Sequence, residues 1–170
     1  MTIKTSEPFT IWIIGPSAVG KTTVSKIFYD QIKIKNDKLV LIDGDRIRNL
    51  YEKKLGYDPA SRSKNTFRYI NLVKWLMENG ISSIVAVISP FEKDRVSCRE
   101  KIKNYKEIYL SCGLDERIKR DKKKLYVPAL KGEKKHVVDV DISFDIPKKN
   151  ELTIDTEKKQ PNKVAEEIIK

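Results

Sequence analysis

The feature that most constrains this 170-residue chain is the octapeptide GPSAVGKT at residues 15–22. It matches the pattern G-x-x-x-x-G-K-[ST], in which backbone N–H groups wrap a phosphate at the N-terminus of a helix. In this pattern the lysine reaches the β- and γ-phosphates, and the last hydroxyl binds Mg²⁺. An apolar run ends directly before the octapeptide and a helical pattern begins directly after it. The sequence therefore predicts a nucleoside triphosphate site, with an ordinary glycine turn as the alternative.

Apolar runs and helical patterns alternate along the rest of the chain. Strands are predicted at about residues 9–14, 38–42, 81–88, 105–110 and 151–154, and helices at about 21–34, 46–55, 63–78, 92–104, 114–122 and 161–170. Residues 126–150 contain two prolines and a glycine without a sustained period, which indicates a loop region with room for a helical turn. The alternation predicts a single α/β domain over residues 1–170, with three layers around an about five-stranded, mostly parallel sheet.

Composition excludes several classes of protein. No apolar run approaches the ~18 residues of a membrane-spanning helix, and residues 1–8 lack the apolar core of a signal peptide. The two cysteines, Cys98 and Cys112, predict neither a disulfide framework nor a metal ligand set. Free thiols are typical of a reducing compartment. We therefore expect a cytoplasmic protein with no membrane partner.

Positive charge is concentrated late in the chain. Lys and Arg number 35 against 24 Asp and Glu, which gives a net charge of +11. Residues 117–135 contain nine basic and two acidic residues, a local charge of +7, and predict a basic lid at about residues 120–150. A nucleic-acid surface, a flap over polyphosphate and a solvated lysine surface all fit this pattern. Charge alone does not separate these three interpretations.

A second polar motif, Asp43-Gly44-Asp45, follows the second predicted strand. In an open parallel sheet, ligands bind outside the carboxyl ends of the strands, so both carboxylates are expected beside the phosphate-binding loop. Phosphoryl transfer to an alcohol uses a carboxylate near the acceptor hydroxyl and oxygen ligands for Mg²⁺. Two carboxylates separated by a glycine can divide these tasks, although Asp-Gly is also common turn chemistry.

These motifs, in this order, resemble the adenylylsulfate kinase family, P-loop kinases that phosphorylate the 3′-hydroxyl of a nucleotide with ATP. The resemblance runs from about residue 11 to residue 156. It implies a P-loop kinase fold, ATP and Mg²⁺ as cofactors, and a small 5′-nucleotide as acceptor. The parts of the chain that carry it are the octapeptide, residues 41–45 with Arg48, residues 55–57, Arg62, Asn65, residues 88–91, 94–95, 120–121, 125–126 and 132–133, Lys135 and residues 152–156.

The resemblance also implies roles for individual residues. Lys21 and Asp43 would be catalytic, and Thr22 and Asp43 would bind the metal. ATP would contact Gly15, Ser17, Ala18, Val19, Gly20, Lys21, Thr22, Thr23 and Arg120. The acceptor nucleotide would contact Asp45, Arg48, Arg62, Asn65, Ile88, Ser89, Pro90, Lys135 and Val137. The alternatives stay open: the two acceptor-side arginines as surface charges, the lysine as one more solvated lysine, and the Ser-Pro pair as a strand end.

The acceptor side departs from the family pattern. The family's acceptor loop reads K-G-F-T-G-I-D, with the phenylalanine stacked on adenine, whereas residues 135–141 here read KHVVDVD. Val137 offers less stacking area than phenylalanine, and Asp139 places a Cβ and a charge where the family has glycine. Residues 61–68 read SRSKNTFR in place of D-R-x-E-N-I-R-R. The changes predict a retained ATP side and a rebuilt acceptor side.

This combination resembles the cytidine diphosphoramidate kinase branch, which acts in capsule phosphoramidate assembly. We therefore expect cytidine diphosphoramidate as the acceptor. Adenylylsulfate is the alternative, which would hold if Phe91 or Phe144 filled the gap at position 137. A nucleic-acid-binding P-loop module or a polynucleotide kinase is an alternative from a different class, although no nucleic acid is expected as a partner. A homodimer is left open.

Four further side chains have simpler expectations. Trp12 and Trp75 lie on apolar stretches and are predicted to be in the core. Phe67 has helical spacing that also favours the core, with stacking on the acceptor base as its alternative. His136, the single histidine, is expected to face solvent in the basic lid.

Overall fold

The computed structural model describes residues 7–169 and contains one five-stranded sheet in that range. Its strands are β1 (Thr10–Ile14), β2 (Leu39–Asp43), β3 (Ser82–Ala86), β4 (Tyr105–Ser111) and β5 (Leu152–Asp155). Their spatial order is β2-β3-β1-β4-β5, and every neighbouring pair is parallel. The predicted α/β fold, with helices on both faces of a parallel sheet, is confirmed.

The helices are α1 (Lys21–Lys33), α2 (Gly44–Arg48), α3 (Pro59–Glu78), α4 (Glu92–Lys101), α5 (Leu114–Arg120), α6 (Tyr126–Leu130) and α7 (Pro161–Ile169). The short helix α6 is the helical turn expected within residues 126–150. Residues 1–6, where no signal peptide is predicted, and Lys170, the predicted end of the last helix, lie outside the described residues. None of the helices within the described range is long and apolar enough to cross a membrane.

Two predicted helix boundaries are wrong, and each has a local cause. The helix predicted at residues 46–55 is only α2, because the chain beyond it folds back onto Arg48. That guanidinium donates 3.1 Å hydrogen bonds to the carbonyl oxygens of Leu55 and Gly56. Helix α3 begins four residues earlier than expected, because the Asp58 side chain accepts a 2.9 Å bond from the Ser61 amide and caps it.

The central strand β1 is buried on both faces, and its alternating side chains enter two apolar layers. Ile11 and Ile13 pack in the layer that α1 and α7 cover, whereas Trp12 and Ile14 pack in the layer that includes residues of α3 and α4. The core position predicted for Trp12 is confirmed, because the residue is fully buried.

The core positions predicted for Trp75 and Phe67 are wrong. These side chains are 58% and 40% exposed, respectively, and lie on α3 outside its buried face. Phe67 lies below the Lys101 ammonium group, which is 5.0 Å from the ring centroid. A prediction from apolar residue type alone therefore placed these two side chains on the wrong face of α3. His136 is exposed, as expected.

Candidate active site

The P-loop, defined as residues 15–22, connects β1 to α1 and depends on glycine at its first position. Gly15 has a φ of +147°, and a Cβ atom there would lie 2.4 Å from the carbonyl oxygen of Leu110. A larger residue would therefore push β1 away from β4. Gly20, with a φ of +95°, stands immediately before the first residue of α1. The strand–loop–helix context that the octapeptide requires is present.

Two residues from later elements hold the P-loop in shape. The Thr156 hydroxyl, just after β5, lies 3.0 Å from the carbonyl oxygens of both Val19 and Ser111. The Tyr126 hydroxyl, on α6, donates a 2.8 Å bond to the Ser17 carbonyl oxygen. Both contacts use carbonyl groups of the loop and leave its N–H groups for an anion.

Lys21 is held against the backbone of its own loop. Its ammonium group donates to the carbonyl oxygens of Gly15 at 2.8 Å and Pro16 at 2.6 Å. Burial, the largest cause, lowers the pKa of Lys21 to about 7, and the nearby carboxylates of Asp45 and Asp43 oppose this shift. To contact phosphate oxygens, as predicted, the side chain would have to leave these two carbonyl partners.

Asp43 joins the end of β2 to the P-loop. Its Oδ2 accepts a 2.8 Å bond from the Thr22 hydroxyl, and its Oδ1 accepts from the amides of Asp45 and Arg46, at 3.0 and 3.3 Å. The carboxylate thereby caps α2 while pointing at the phosphate site. The structure thus brings Asp43 and Thr22 together at the carboxyl edge of the sheet, where the sequence places them.

This pair of oxygen donors fits Mg²⁺. Magnesium in kinase sites takes one or two protein oxygen ligands and completes its shell with phosphate oxygens and water. Within residues 7–169 no group of three or more His, Cys, Asp or Glu residues could hold a metal without such help. Thr22 and Asp43 would hold the ion, and bound Mg²⁺ would supply charge neutralisation at the phosphates.

Asp45, the second carboxylate of the motif, contacts the lid. Its Oδ2 forms an ion pair with the Lys123 ammonium group, and both side chains are largely exposed. Asp45 is also close enough to Lys21 for its charge to oppose the lowering of the Lys21 pKa.

Beside this edge, two arginines share one aromatic ring. The guanidinium carbons of Arg48 and Arg62 lie 4.6 and 5.6 Å from the centroid of Tyr57. With the Asn65 carboxamide oxygen turned towards Arg48, it accepts bonds of 3.1 and 2.8 Å. The Arg62 side chain also donates a 2.9 Å bond to the carbonyl oxygen of His136. Four separate segments of the chain therefore meet at this cluster.

The cluster carries excess positive charge. Burial, and then the charge of Arg48, lowers the pKa of Arg62 to about 10. In the described part of the chain, neither guanidinium forms an ion pair with a carboxylate. Because Arg62 is 8% exposed, it is not the surface charge that the alternative interpretation assumed. Tyr57 is the residue that sequence analysis missed, since its motif was noted without a role.

The turn at residues 88–90 lies directly beside the P-loop. The Gly15 amide donates a 3.4 Å bond to the Ile88 carbonyl oxygen. Ser89 has a φ of +46° and is 5% exposed, and its carbonyl oxygen accepts a 2.8 Å bond from the buried Arg95. Pro90 follows and is also buried. Arg95 thus fixes the backbone of this turn at the sheet edge, and the contact of the turn with the acceptor stays a prediction.

The predicted site residues of the lid differ in burial and in contacts. Arg120 donates to the carbonyl oxygens of Thr156 and Glu157, at 3.2 and 2.8 Å, and so ties α5 to the segment after β5. Lys135 is exposed. Val137 is 5% exposed and packs with Tyr126 and other apolar lid residues. Its contact with the acceptor base therefore stays a prediction.

Comparison with known proteins identifies the family. Residues 7–155 match the family model for adenylylsulphate kinase. The chain belongs to the adenylylsulfate kinase family. It is 34% identical to a probable adenylyl-sulfate kinase of Pyrococcus abyssi over 164 residues, 96% of this chain and 94% of that protein. It is also 37% identical to the cytidine diphosphoramidate kinase of Campylobacter jejuni over 142 residues, 84% of this chain and 83% of that protein.

A solved structure agrees with this assignment. The Mycobacterium tuberculosis APS kinase in complex with AMPPNP and APS superimposes with a TM-score of 0.88 at 27% identity, covering 96% of both chains. The chain is therefore a phosphotransferase of the ATP-dependent P-loop kinase class, with a hydroxyl group as acceptor and Mg²⁺ as the general cofactor of such kinases.

Proposed function

We propose that this kinase transfers the γ-phosphoryl group of ATP to the 3′-hydroxyl of a small 5′-nucleotide. The observation that carries the proposal is the Arg48–Arg62 cluster, two adjacent guanidinium groups stacked on Tyr57 without a carboxylate partner among the described residues. Paired arginines bind phosphate groups through charge-assisted, two-point hydrogen bonds. Arg48 is the last residue of α2, the helix that Asp43 caps, so we expect an acceptor phosphate held by the cluster to bring its nucleotide close to Asp43.

The residues around the P-loop divide the work of transfer. ATP with Mg²⁺ supplies the phosphoryl group and neutralises the charge that develops on it. Lys21 leaves the Gly15 and Pro16 carbonyl oxygens to contact the phosphates, while Thr22 and Asp43 would hold the Mg²⁺ ion. Asp43 also orients the acceptor hydroxyl and takes its proton. The remaining predicted contacts are Asp45, Asn65, Ile88, Ser89, Pro90, Lys135 and Val137 to the acceptor and Ser17, Ala18, Val19, Gly20, Thr23 and Arg120 to ATP.

Two acceptors fit these side chains. Cytidine diphosphoramidate and adenylylsulfate are both 5′-nucleotides with a small extra group and a free 3′-hydroxyl. Cytidine diphosphoramidate is the first candidate because Val137 and Asp139 stand where the family has phenylalanine and glycine. Adenylylsulfate is the second, because the relatives named adenylyl-sulfate kinase align over nearly the whole chain. The capsule pathway applies to this chain only with the first acceptor.

The ring geometry on the acceptor side supports a rebuilt base pocket. Phe144 stacks on Tyr109, with centroids 5.5 Å apart, and Phe91 has the Lys93 ammonium group 5.7 Å from its centroid. Both rings that could take the place of the family's phenylalanine therefore have contacts of their own. Base–aromatic stacking is worth ~1–3 kcal/mol, so an adenine acceptor without such a ring should bind up to about a hundredfold more weakly.

Steady-state kinetics with the two acceptors side by side test the proposal. We expect kcat/KM for cytidine diphosphoramidate to exceed that for adenylylsulfate, and Asp43→Asn to lower kcat about 10²-fold or more with the better acceptor. Equal or better efficiency with adenylylsulfate would assign this chain to the second candidate. Near-normal turnover of a folded Asp43→Asn variant would remove the role given to that carboxylate.

A further inference from the structure

The acceptor loop, defined as residues 135–141, is fastened by an aspartate where the family has glycine. Asp139 has a φ of +66°, and its amide donates a 2.7 Å bond to the Ile142 carbonyl oxygen. Its carboxylate accepts a 2.5 Å bond from Nη2 of Arg117 on α5. The negative charge of Asp139 is therefore paired within the protein.

Arg117 continues this connection into the interior. The residue is 3% exposed, and its Nη1 donates a 2.9 Å bond to the Tyr126 hydroxyl. Its guanidinium carbon also lies 5.1 Å from the Tyr126 ring centroid. The same hydroxyl donates to the Ser17 carbonyl oxygen in the P-loop at 2.8 Å. Burial raises the pKa of Tyr126, so the hydroxyl keeps its proton and remains a donor.

The connection ends next to the carbonyl groups that hold Lys21. Ser17 directly follows Pro16, whose carbonyl oxygen accepts from the Lys21 ammonium group. An unbroken row of hydrogen bonds therefore joins the acceptor loop to the ATP site through Asp139, Arg117 and Tyr126. The row ends at the carbonyl oxygen of Ser17, a residue that is predicted to contact ATP.

We propose that Asp139 and Arg117 are positioning residues that couple the acceptor loop to the P-loop, so that ATP and the acceptor nucleotide favour each other's binding. The acceptor half of this statement rests on the proposed function, while the ATP half does not. The coupling is reciprocal: a change that loosens the acceptor loop weakens ATP binding, and ATP binding stabilises the loop. Glycine at position 139 offers no side chain for such a connection.

The variant Asp139→Asn tests the coupling in the full chain. Asparagine tolerates positive φ and keeps the size of the side chain, and the Asp139 side chain is 44% exposed, so the variant should fold. It replaces the charge-assisted bond from Arg117 with a weaker neutral one. The measurements are the Kd of Mg²⁺-AMPPNP by calorimetry and the hydrogen exchange of amides 135–142. We expect the Kd to rise about fivefold or more and the loop amides to exchange faster. Asp115→Asn, an exposed aspartate on α5, is the matched control and should change neither.

If Asp139 acted only through its charge, the Kd of Mg²⁺-AMPPNP would change in the opposite direction. Removing a negative charge near a phosphate site would tighten AMPPNP binding. Tighter or unchanged binding, or unchanged exchange of the loop amides, in Asp139→Asn would overturn the proposal. Tyr126→Phe interrupts the row at its other end and should also weaken AMPPNP binding. The double variant should lose less affinity than the product of the two single losses, because both changes weaken the same connection.

Kinetics separate this proposal from the proposed function. With a working acceptor, Asp139→Asn should raise the acceptor KM while kcat stays close to that of the unchanged protein, as expected when binding alone is lost. A kcat loss with an unchanged KM would contradict a positioning role. If no 5′-nucleotide is phosphorylated but Asp139→Asn still weakens AMPPNP binding and loosens the loop, the coupling stands and the proposed acceptor class is wrong.

Discussion

Lys21 illustrates how a single side chain is prepared for a ligand that arrives later. Its ammonium group donates to two loop carbonyls, and desolvation by burial lowers its pKa to about 7. Near neutral pH the lysine is therefore divided between a charged and a neutral form. A nucleotide polyphosphate interacts more strongly with the charged form, so protonation and nucleotide binding are linked.

This linkage predicts a pH dependence of nucleotide affinity. As pH rises above about 7 the protonated fraction of Lys21 falls, so the affinity for Mg²⁺-AMPPNP should fall by up to about tenfold per pH unit. The measurement is the Kd of the unchanged protein and of Lys21→Ala between pH 6.5 and 8.5. The ratio of the two affinities removes the titration of the nucleotide itself. A ratio that does not vary with pH would rule out the assigned titration.

At the scale of elements, α7 should contribute stability through one face. Ile168 is fully buried in the layer that contains Phe28 of α1, whereas the next residue, Ile169, is 37% exposed. Ile168→Ala should lower the free energy of unfolding by about 2–5 kcal/mol, because it leaves a cavity in that layer. The neighbouring change Ile169→Ala is the control and should cost less than about 0.5 kcal/mol. Urea unfolding of both variants measures the difference, and equal losses would contradict this packing.

Elements with strong local signals were predictable from the sequence. The five predicted strands agree with the observed strands within a few residues. The clearest is β1, which is buried along its whole length and has the continuous apolar character that such parallel strands need. The prediction of a helix at residues 46–55 was wrong because Arg48 bonds to the backbone of Leu55 and Gly56, seven and eight positions away, and this contact overrides local helical spacing. The core position predicted for Trp75 was wrong for another reason: its residue type was given more weight than its position outside the buried face of α3.

The site also contains residues that could be predicted from the sequence and residues that could not. The P-loop and Asp43 could be located because each follows a strand directly, and strand ends converge at one edge. The contact between Arg117 and Asp139 could not, because it joins residues 22 positions apart through a backbone conformation that sequence patterns do not specify. Tyr57 lay in a recognised motif, but its two arginine neighbours come from different helices.

For the whole molecule, the net charge of +11 overstates the unpaired positive charge that is available to bind a nucleic acid. Four of the nine basic residues in the stretch 117–135 form ion pairs with carboxylates: Arg117, Lys119, Arg120 and Lys123. The remaining lysines are not interleaved with a row of aromatic side chains, which single-stranded nucleic acids use for stacking. The cytoplasmic location and the homodimer stay predictions.

We therefore expect a single-stranded oligonucleotide to bind only non-specifically, with a Kd no tighter than ~10⁻⁶ M that weakens steeply with salt. It should not compete with the mononucleotide acceptor in kinetic assays. Fluorescence anisotropy at several salt concentrations, together with inhibition kinetics, provides the measurement. Phosphorylation of the oligonucleotide, or competition with the acceptor, would instead favour the polynucleotide kinase.

The bond from Thr156 to the P-loop has a consequence for the order of events on the ribosome. Val19 and Thr156 are 137 residues apart, so the octapeptide is synthesised long before the residue that supports it. At ~5–20 residues per second the interval is roughly 7–27 s. During that time the nascent chain contains the whole P-loop sequence but lacks the bond from Thr156 that supports the conformation of the loop. Nucleotide capture by a growing chain should therefore begin only after β5 has emerged and paired with β4.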